Sequence, residues 1–153
     1  MEHISIIDFE EKYSADFKRL NLEWLEKYGL TKQGDLDIVN DPFGMIINNG
    51  GCIYLAMCNG LIVGTAALIN EGEHGYEFAK MSVTNAFQGK GISKLLMERC
   101  IDKARELGLR SIFLVSNNQL KTAVKLYEKY GFRHVPVVDT PFLTADIRME
   151  LSL

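Results

Sequence analysis

Between an apolar run that ends at Val83 and an amphipathic stretch that follows it lies the segment Gln88-Gly89-Lys90-Gly91-Ile92-Ser93. A strand that gives way to a helix here leaves the first-turn amides without intrahelical partners, and the helix dipole adds partial positive charge at the same place. Two glycines let a ligand approach the main chain with no Cβ in the way. Together these features make an anion site suited to a diphosphate. An ordinary glycine turn is the commoner fate of a lone Gly-x-Gly, so competing phosphate motifs have to be checked. A P-loop requires GxxxxGK followed by Ser or Thr, whereas Gly89-Lys90 runs into Gly91 with no matching upstream glycine. The dinucleotide fingerprint requires a third glycine that is absent here. Both fail.

Two further side chains can move protons. Tyr127 lies in a run where Leu120, Ala123, Val124, Leu126, Tyr127 and Tyr130 recur at helical spacing. Taken alone it reads as a core aromatic. Glu77 falls in the strand-like run Tyr76–Val83, where alternation puts Glu77, Ala79, Met81 and Val83 on one side. A carboxylate whose pKa is raised by burial can serve as a base; a solvent-facing strand residue is the equal alternative. Glu71, Glu73 and His74 read as an exposed turn, and no partner stands at ligand spacing from His74, so no metal site is expected. Cys52, Cys58 and Cys100 read as free thiols in a reducing compartment.

These residues need elements to hold them. Hydrophobic residues make up 47% of the chain and charged residues 24%, enough for one core without disulfide or metal staples. Residues 1–153 therefore read as a single domain. Ile4–Asp8 is a first strand, and Tyr13 to Tyr28 an amphipathic helix with Ser14 near its start and Gly29 at its end. A short helix is expected over Asp35–Asn40. CIYLAMC and LIVGTAALI flank Asn59-Gly60, a hairpin signal, and Tyr76–Val83 extends them to a meander. A helix running to Leu107, the strand SIFLV, the Tyr127 helix, and strands over Val135–Val138 and Ala145–Leu151 complete the chain. The order β-α-(α)-β-β-β-α-β-α-β-β predicts an α+β, or mixed α/β, domain.

Gln88 to Ser93 resembles the [Q/R]-x-x-G-x-[G/A] signature of the GCN5-related N-acetyltransferases (GNAT), with Ser93 where Gly or Ala is usual. Ala123-Val-Lys-Leu-Tyr127-Glu-Lys-Tyr-Gly131-Phe132 resembles the family's A-x-x-L-Y-E-K-x-G-F helix and turn. Leu120 stands where many members carry Asn, and Asn117 is a candidate to supply that amide. The resemblance covers nearly the full length, and implies a mostly antiparallel sheet flanked by helices. It also implies acetyl-CoA as acyl donor, held by Gln88, Gly89, Lys90, Gly91, Ile92 and Ser93, with Tyr127 near the thioester sulfur as the acid. A bulge in the Tyr76–Val83 strand would free backbone near Met81 for the acyl carbonyl and near Val83 for the pantetheine arm. Glu77 is the candidate base, and Glu23, Trp24 and Tyr28 are candidates to line the acceptor pocket. The reaction expected is acetyl transfer to a primary amine by direct attack in a ternary complex. A non-catalytic acyl-CoA sensor on the same fold is the alternative, and pairing into a homodimer is common in the family.

Charge and composition narrow the partners. With 17 basic and 20 acidic residues the net charge is −3 and no basic footprint is visible, so nucleic acid is not an expected partner. The N-terminal stretch lacks the basic start and apolar core of a signal peptide, and no segment has the apolar length of a membrane span. The expected compartment is the cytoplasm. Which amine accepts the acyl group is not legible: amino acids, polyamines, aminoglycosides, peptide N-termini and lysine side chains all stay open.

Overall fold

The computed structural model describes residues 3–29, 31, 33–137 and 146–153. Its strands are β1 (Ile4–Asp8), β2 (Cys52–Cys58), β3 (Leu61–Asn70), β4 (Tyr76–Val83), β5 (Ser111–Ser116), β6 (Arg133–Val135) and β7 (Ile147–Ser152). The helices are α1 (Ser14–Tyr28), α2 (Gln33–Asn40), α3 (Pro42–Met45), α4 (Ile92–Glu106) and α5 (Lys121–Lys129). The strands form one seven-stranded sheet in the order β1-β2-β3-β4-β5-β7-β6. Every neighbouring pair is antiparallel except β4 and β5, which run parallel.

Alternation along the strands sends side chains to two cores, one on each face of the sheet. In β2, Tyr54, Ala56 and Cys58 join Leu68, Phe78, Ile92, Leu96 and Met149 under α4, with α5 packed at the margin. Ile53 and Leu55 point the other way, to Ala67, Ile69 and the buried Phe17 and Leu20 of α1. The Asn59-Gly60 hairpin forms as read, with φ of 51° and 80°, the left-handed pair that a tight two-residue turn demands.

Local differences from the sequence reading have identifiable causes. Ser14 does not cap α1: a 3-10 turn over Glu11–Tyr13 leads into the helix, and no side chain caps it. Asp41-Pro42, read as a breaker, instead starts α3, with the Asp41 carboxylate accepting the Gly44 N–H at 3.0 Å. β6 begins at Arg133, before the expected Val135, and β7 runs Ile147–Ser152. Val138 and Ala145, included in those expected strands, lie outside the described residues.

β4 departs from simple alternation, and the departure shapes the site. Thr65 pairs with Ser82 and Ala67 with Ala79, so β3 advances two residues while β4 advances three. The extra residue is a bulge at Lys80, whose φ of +56° is left-handed. It reverses the facing of everything after it. Glu77 and Ala79 therefore do not share a side with Met81 and Val83, as alternation predicted: Ala79 packs against the α1 core, while Met81 and Val83 join the α4 core. Ser82 Oγ then reaches the α1 side and donates to the Leu20 carbonyl at 2.8 Å.

Just before β2, Gly51 leaves no room for a side chain. A Cβ there would lie 2.4 Å from the Leu68 carbonyl oxygen and 3.0 Å from Ile46 atoms. Gly51→Ala is expected to cost about 1–3 kcal/mol by overpacking, read as a lowered midpoint in chemical denaturation; an unchanged midpoint would show that β2 and β3 separate freely here.

Candidate functional site

The parallel pair β4–β5 shares a single register position, Glu77 opposite Phe113. Beyond it the ladder stops, so Met81–Val83 and Val115–Ser116 border a gap rather than a continuous sheet. Both lips continue into loops that carry the residues singled out from sequence. After β4 comes a 3-10 turn over Asn85–Phe87, then Gln88 in extended conformation, and Gly89 and Gly91 with φ of 79° and 80°. Gly91 is the N-cap of α4 and no side chain occupies the cap, which leaves the first-turn amides open to a ligand. A Cβ built on Gly89 or Gly91 meets nothing within 4 Å, so the cradle is open as well as left-handed. Ile92 contributes main chain alone, because its side chain is 1% exposed in the α4 core. Gln88 folds back to donate to the Val83 carbonyl at 3.0 Å, so its side chain braces the loop. The Lys90 ammonium lies 5.2 Å from the centre of the Phe87 ring.

On the β5 lip, Asn117 is buried, and its side-chain oxygen accepts the Gln119 N–H at 3.1 Å. Its neighbour Ser116 was not singled out from sequence, where nothing marks it. Among the described residues, Ser116 Oγ is the buried side-chain oxygen or nitrogen without a hydrogen-bond partner. A buried hydroxyl left unmatched costs stability unless a ligand or water completes it. The open cradle and this orphaned hydroxyl both suit an elongated ligand carrying phosphates at one end and amides along its length.

Tyr127, from α5, sits on the α4 side of the sheet. Its ring is wedged edge-on between Phe78 at 6.2 Å and Phe132 at 6.0 Å, centre to centre. Burial pushes its phenol up to about 12, so it holds its proton at neutral pH. Glu77 is the residue next to Phe78 on the opposite face and is 6% exposed, which removes the solvent-facing alternative. Its pKa is pushed up to about 8, first by burial and then by Glu71 and Asp35, with Lys80 and Arg148 opposing. The carboxyl and the phenol thus lie on opposite sides of β4, beside the gap. Burial raises both groups, which brings the carboxyl close to its titration point near neutral pH while the phenol stays protonated, the states that a base and an acid require.

The α1 residues behave differently from one another. Glu23 was expected to line the acceptor pocket. Its carboxylate is instead committed to the cradle loop, accepting Thr84 Oγ1 at 3.0 and 3.1 Å and the Asn85 N–H at 3.0 Å. Lys27 donates to Asn85 Oδ1 at 3.3 Å, and Gln119 Nε2 reaches the Tyr28 carbonyl at 3.5 Å. The end of α1 therefore spans the mouth of the gap from one lip to the other. Trp24 and Tyr28 stay partly exposed there, their rings 5.3 Å apart.

Cys52, Cys58 and Cys100 are free, and burial raises the thiols of Cys52 and Cys100, which argues against nucleophilic roles. Among the described residues no cluster of His, Cys, Asp and Glu is arranged to hold a metal ion, and no helix is long and apolar enough to cross a membrane.

Residues 49–134 match a family model described as an acetyltransferase (GNAT) domain. The N-acetylaspartate synthetase of Rattus norvegicus is 36% identical over 105 residues, 68% of this chain and 34% of that protein. This chain thus spans about a third of the length of such relatives. The uncharacterised N-acetyltransferase YjgM of Escherichia coli K12 is 28% identical over 116 residues, 71% of this chain and 70% of that one. A GNAT-family acetyltransferase of Staphylococcus aureus Mu50 superposes with a TM-score of 0.87 at 23% identity, over 99% of both chains. The yncA protein of Salmonella typhimurium, solved with its cofactor acetyl-CoA, gives 0.81 at 20% identity, covering 98% of this chain and 94% of that one. The structural likenesses establish the fold, and the family match spans more than half of the chain and includes both the glycine cradle and the Tyr127 helix: this protein belongs to the GNAT acetyltransferases.

Proposed function

We propose that the protein transfers an acetyl group from acetyl-CoA to a primary amine, with Glu77 as base and Tyr127 as acid. The observation that carries this reading is their placement on opposite faces of β4 at a gap headed by an open anion cradle. The amides of the α4 first turn, with Gly89 and Gly91, would hold the diphosphate. Unpaired backbone along the lips, together with Ser116, would meet the amides of the pantetheine arm much as an added strand would. When bound, acetyl-CoA supplies an acyl carbon activated by its thioester.

The residues of the chain then divide the proton work. An alkylammonium with a pKa near ~10.4 is almost wholly charged at pH 7, so the amine has to lose a proton before it can attack. Glu77, directly or through water, accepts a proton from the amine as nitrogen bonds to the acyl carbon. The carbon–sulfur bond breaks and Tyr127 gives the departing sulfur its proton. Of the two protons that the ammonium loses, one goes to Glu77 and on to solvent, and the other, through water, restores Tyr127. Amide, free thiol and one proton thus leave in balance. Backbone at the Lys80–Met81 bulge is suited to face the acyl oxygen as charge develops there. Alignment of the two reactants across the gap supplies much of the remaining acceleration. Trp24 and Tyr28 overlook the mouth from the side on which the amine would enter.

The first test pairs binding with turnover. Acetyl-CoA should bind the wild type and Tyr127→Phe with comparable affinity by calorimetry, while Tyr127→Phe slows thiol release by about 10²-fold. Absence of coenzyme binding would end the acyltransferase reading, and an unchanged rate would remove Tyr127 from the acid role.

The second test is a pH profile. Since Glu77 is raised from 4.5 to about 8, kcat/KM should rise with pH through about 8 as the carboxylate forms. Glu77→Gln should lose that limb and keep only the limb of the amine itself. The same shift makes a stability statement: folding favours the protonated carboxyl, so its contribution is full below pH 4.5 and is lost as pH rises through 8. Melting temperatures of Glu77→Gln should therefore fall less on going from acid to alkaline buffer; a parallel fall would contradict the assignment.

A third measurement separates the two roles considered for Glu23. Glu23→Ala should raise the KM for acetyl-CoA about tenfold or more, because hydrogen bonds to a charged acceptor are worth about 1.5–3 kcal/mol, with partial recovery in Glu23→Gln. A change confined to the KM of the amine would return Glu23 to the acceptor pocket.

A further inference from the structure

The α1 side of the sheet beside Glu77 carries a cation that the transfer reaction does not use. Arg148 lies on β7, and its side chain turns to the face opposite Met149 and Leu151, which are in the α4 core. Its guanidinium carbon sits 4.1 Å from the centre of the Phe113 ring. Phe113 is the residue paired with Glu77 across the β4–β5 boundary. On β7, Arg148 itself stands opposite Val115, so its guanidinium reaches back over Phe113, the column of β5 that neighbours Glu77. It is close enough to favour ionisation of Glu77.

Arg148 is only weakly committed elsewhere. Its ion-pair contact is a long 3.6 Å approach to Glu150, and the two side chains are 20% and 47% exposed. A planar guanidinium resting on an aromatic ring keeps its N–H edge available for a carboxylate, which it binds in bidentate fashion more tightly than a distant monodentate partner. A small recess open to solvent lies at this point, lined in part by His74, Tyr76, Ser111, Phe113, Arg148 and Glu150. The other nearby cation, Lys80, is held by Asp35 of α2.

We propose that the acceptor is an amine that also bears a carboxylate, a free amino acid, and that Arg148 is the residue that binds this carboxylate. The proposal rests on the reading of Glu77 as the base. A carboxyl and a guanidinium on neighbouring columns of one sheet face complement a zwitterion, which offers an ammonium to the first and a carboxylate to the second. A polyamine would bring a second ammonium against Arg148. A peptide N-terminus or a lysine side chain in a protein would bring a neutral amide to the same place.

The test uses the intact chain with acetyl-CoA and four acceptors: glycine, L-aspartate, glycinamide and ethylamine. Thiol release should show a kcat/KM at least about tenfold higher for one or both carboxylate-bearing acceptors than for glycinamide and ethylamine, a difference worth about 1.4 kcal/mol. Arg148→Gln should raise the KM for the preferred amino acid about tenfold or more, leave the KM for acetyl-CoA nearly unchanged, and erase the preference; Arg148→Lys should restore part of it. Loss of the guanidinium also shifts the Glu77 titration upward for every acceptor, so the vanished preference, rather than a slower rate, is the signature. Equal use of glycinamide, or an equal loss for all four acceptors in Arg148→Gln, would overturn the proposal. If no amine releases thiol, the acyltransferase reading has failed, and the subsite is judged by calorimetric titration of glycine and L-aspartate in the presence of coenzyme A. Heat that disappears in Arg148→Gln would then support it, and no heat with the wild type would overturn it.

Discussion

Parallel neighbours in a sheet ordinarily share a continuous ladder, because buried backbone donors and acceptors left unpaired are costly. Here β4 and β5 share one register pair and then run on without a ladder between them. The rest of the molecule is arranged around that interruption. Helices cover both faces, so the sheet does not need the missing pairs to keep its two cores. The end of α1 ties down Thr84 and Asn85 on one lip and meets Gln119 on the other. The ends of β4 and β5 stay without a shared ladder in the middle of a packed domain. Anything that enters with amides of its own relieves the cost of keeping them apart.

The bulge at Lys80 changes which side chains of β4 border this interruption. Before it, Glu77 faces the α1 side among charged neighbours; after it, Met81 and Val83 face the α4 side, where Tyr127 packs. Without the extra residue, Glu77 and Met81 would share one face, as simple alternation along the strand required. Desolvation lifts the Glu77 carboxyl to about 8 although two cations oppose it, and much of the Lys80 charge is offset by Asp35. Tyr127, lifted to about 12, remains a reservoir of one proton. One strand therefore carries a carboxyl on its α1 face and, one residue on, packs a phenol against Phe78 on its α4 face by ordinary alternation, while the bulge adds Met81 and Val83 to the phenol's side.

How far the sequence discloses this depends on the range of the interaction. The cradle is legible because its requirement is local: two left-handed residues before a helix demand glycine, and Gly89 and Gly91 show it directly. The Asn59-Gly60 hairpin is legible for the same reason. The facing of β4 is not, since the bulge at Lys80 appears only when β3 is aligned beside it. Glu23 shows the limit most clearly. Its partners lie 61 and 62 residues away, and on an amphipathic helix its carboxylate gives no sign of being a loop clasp rather than a pocket wall. Ser116 is a polar residue at the end of an apolar run, which is ordinary until its missing partner is seen.

The division between legible and illegible residues follows the division of labour in the site. The groups proposed to hold the donor are backbone amides, and backbone geometry is written in glycines and in helix starts. The groups proposed to meet the acceptor are side chains from α1, β4 and β7, brought together by tertiary packing. Arg148 illustrates the second kind. On its own strand it alternates with Met149 in the ordinary way, and its meaning comes from Phe113 beneath it and Glu77 one strand further on. On the proposed reading, a substitution at Arg148 would change which amine is held and leave the cradle as it is, because the cradle is built where β4 gives way to α4. Such separation would let the donor end of the proposed site stay fixed while the acceptor end is reshaped.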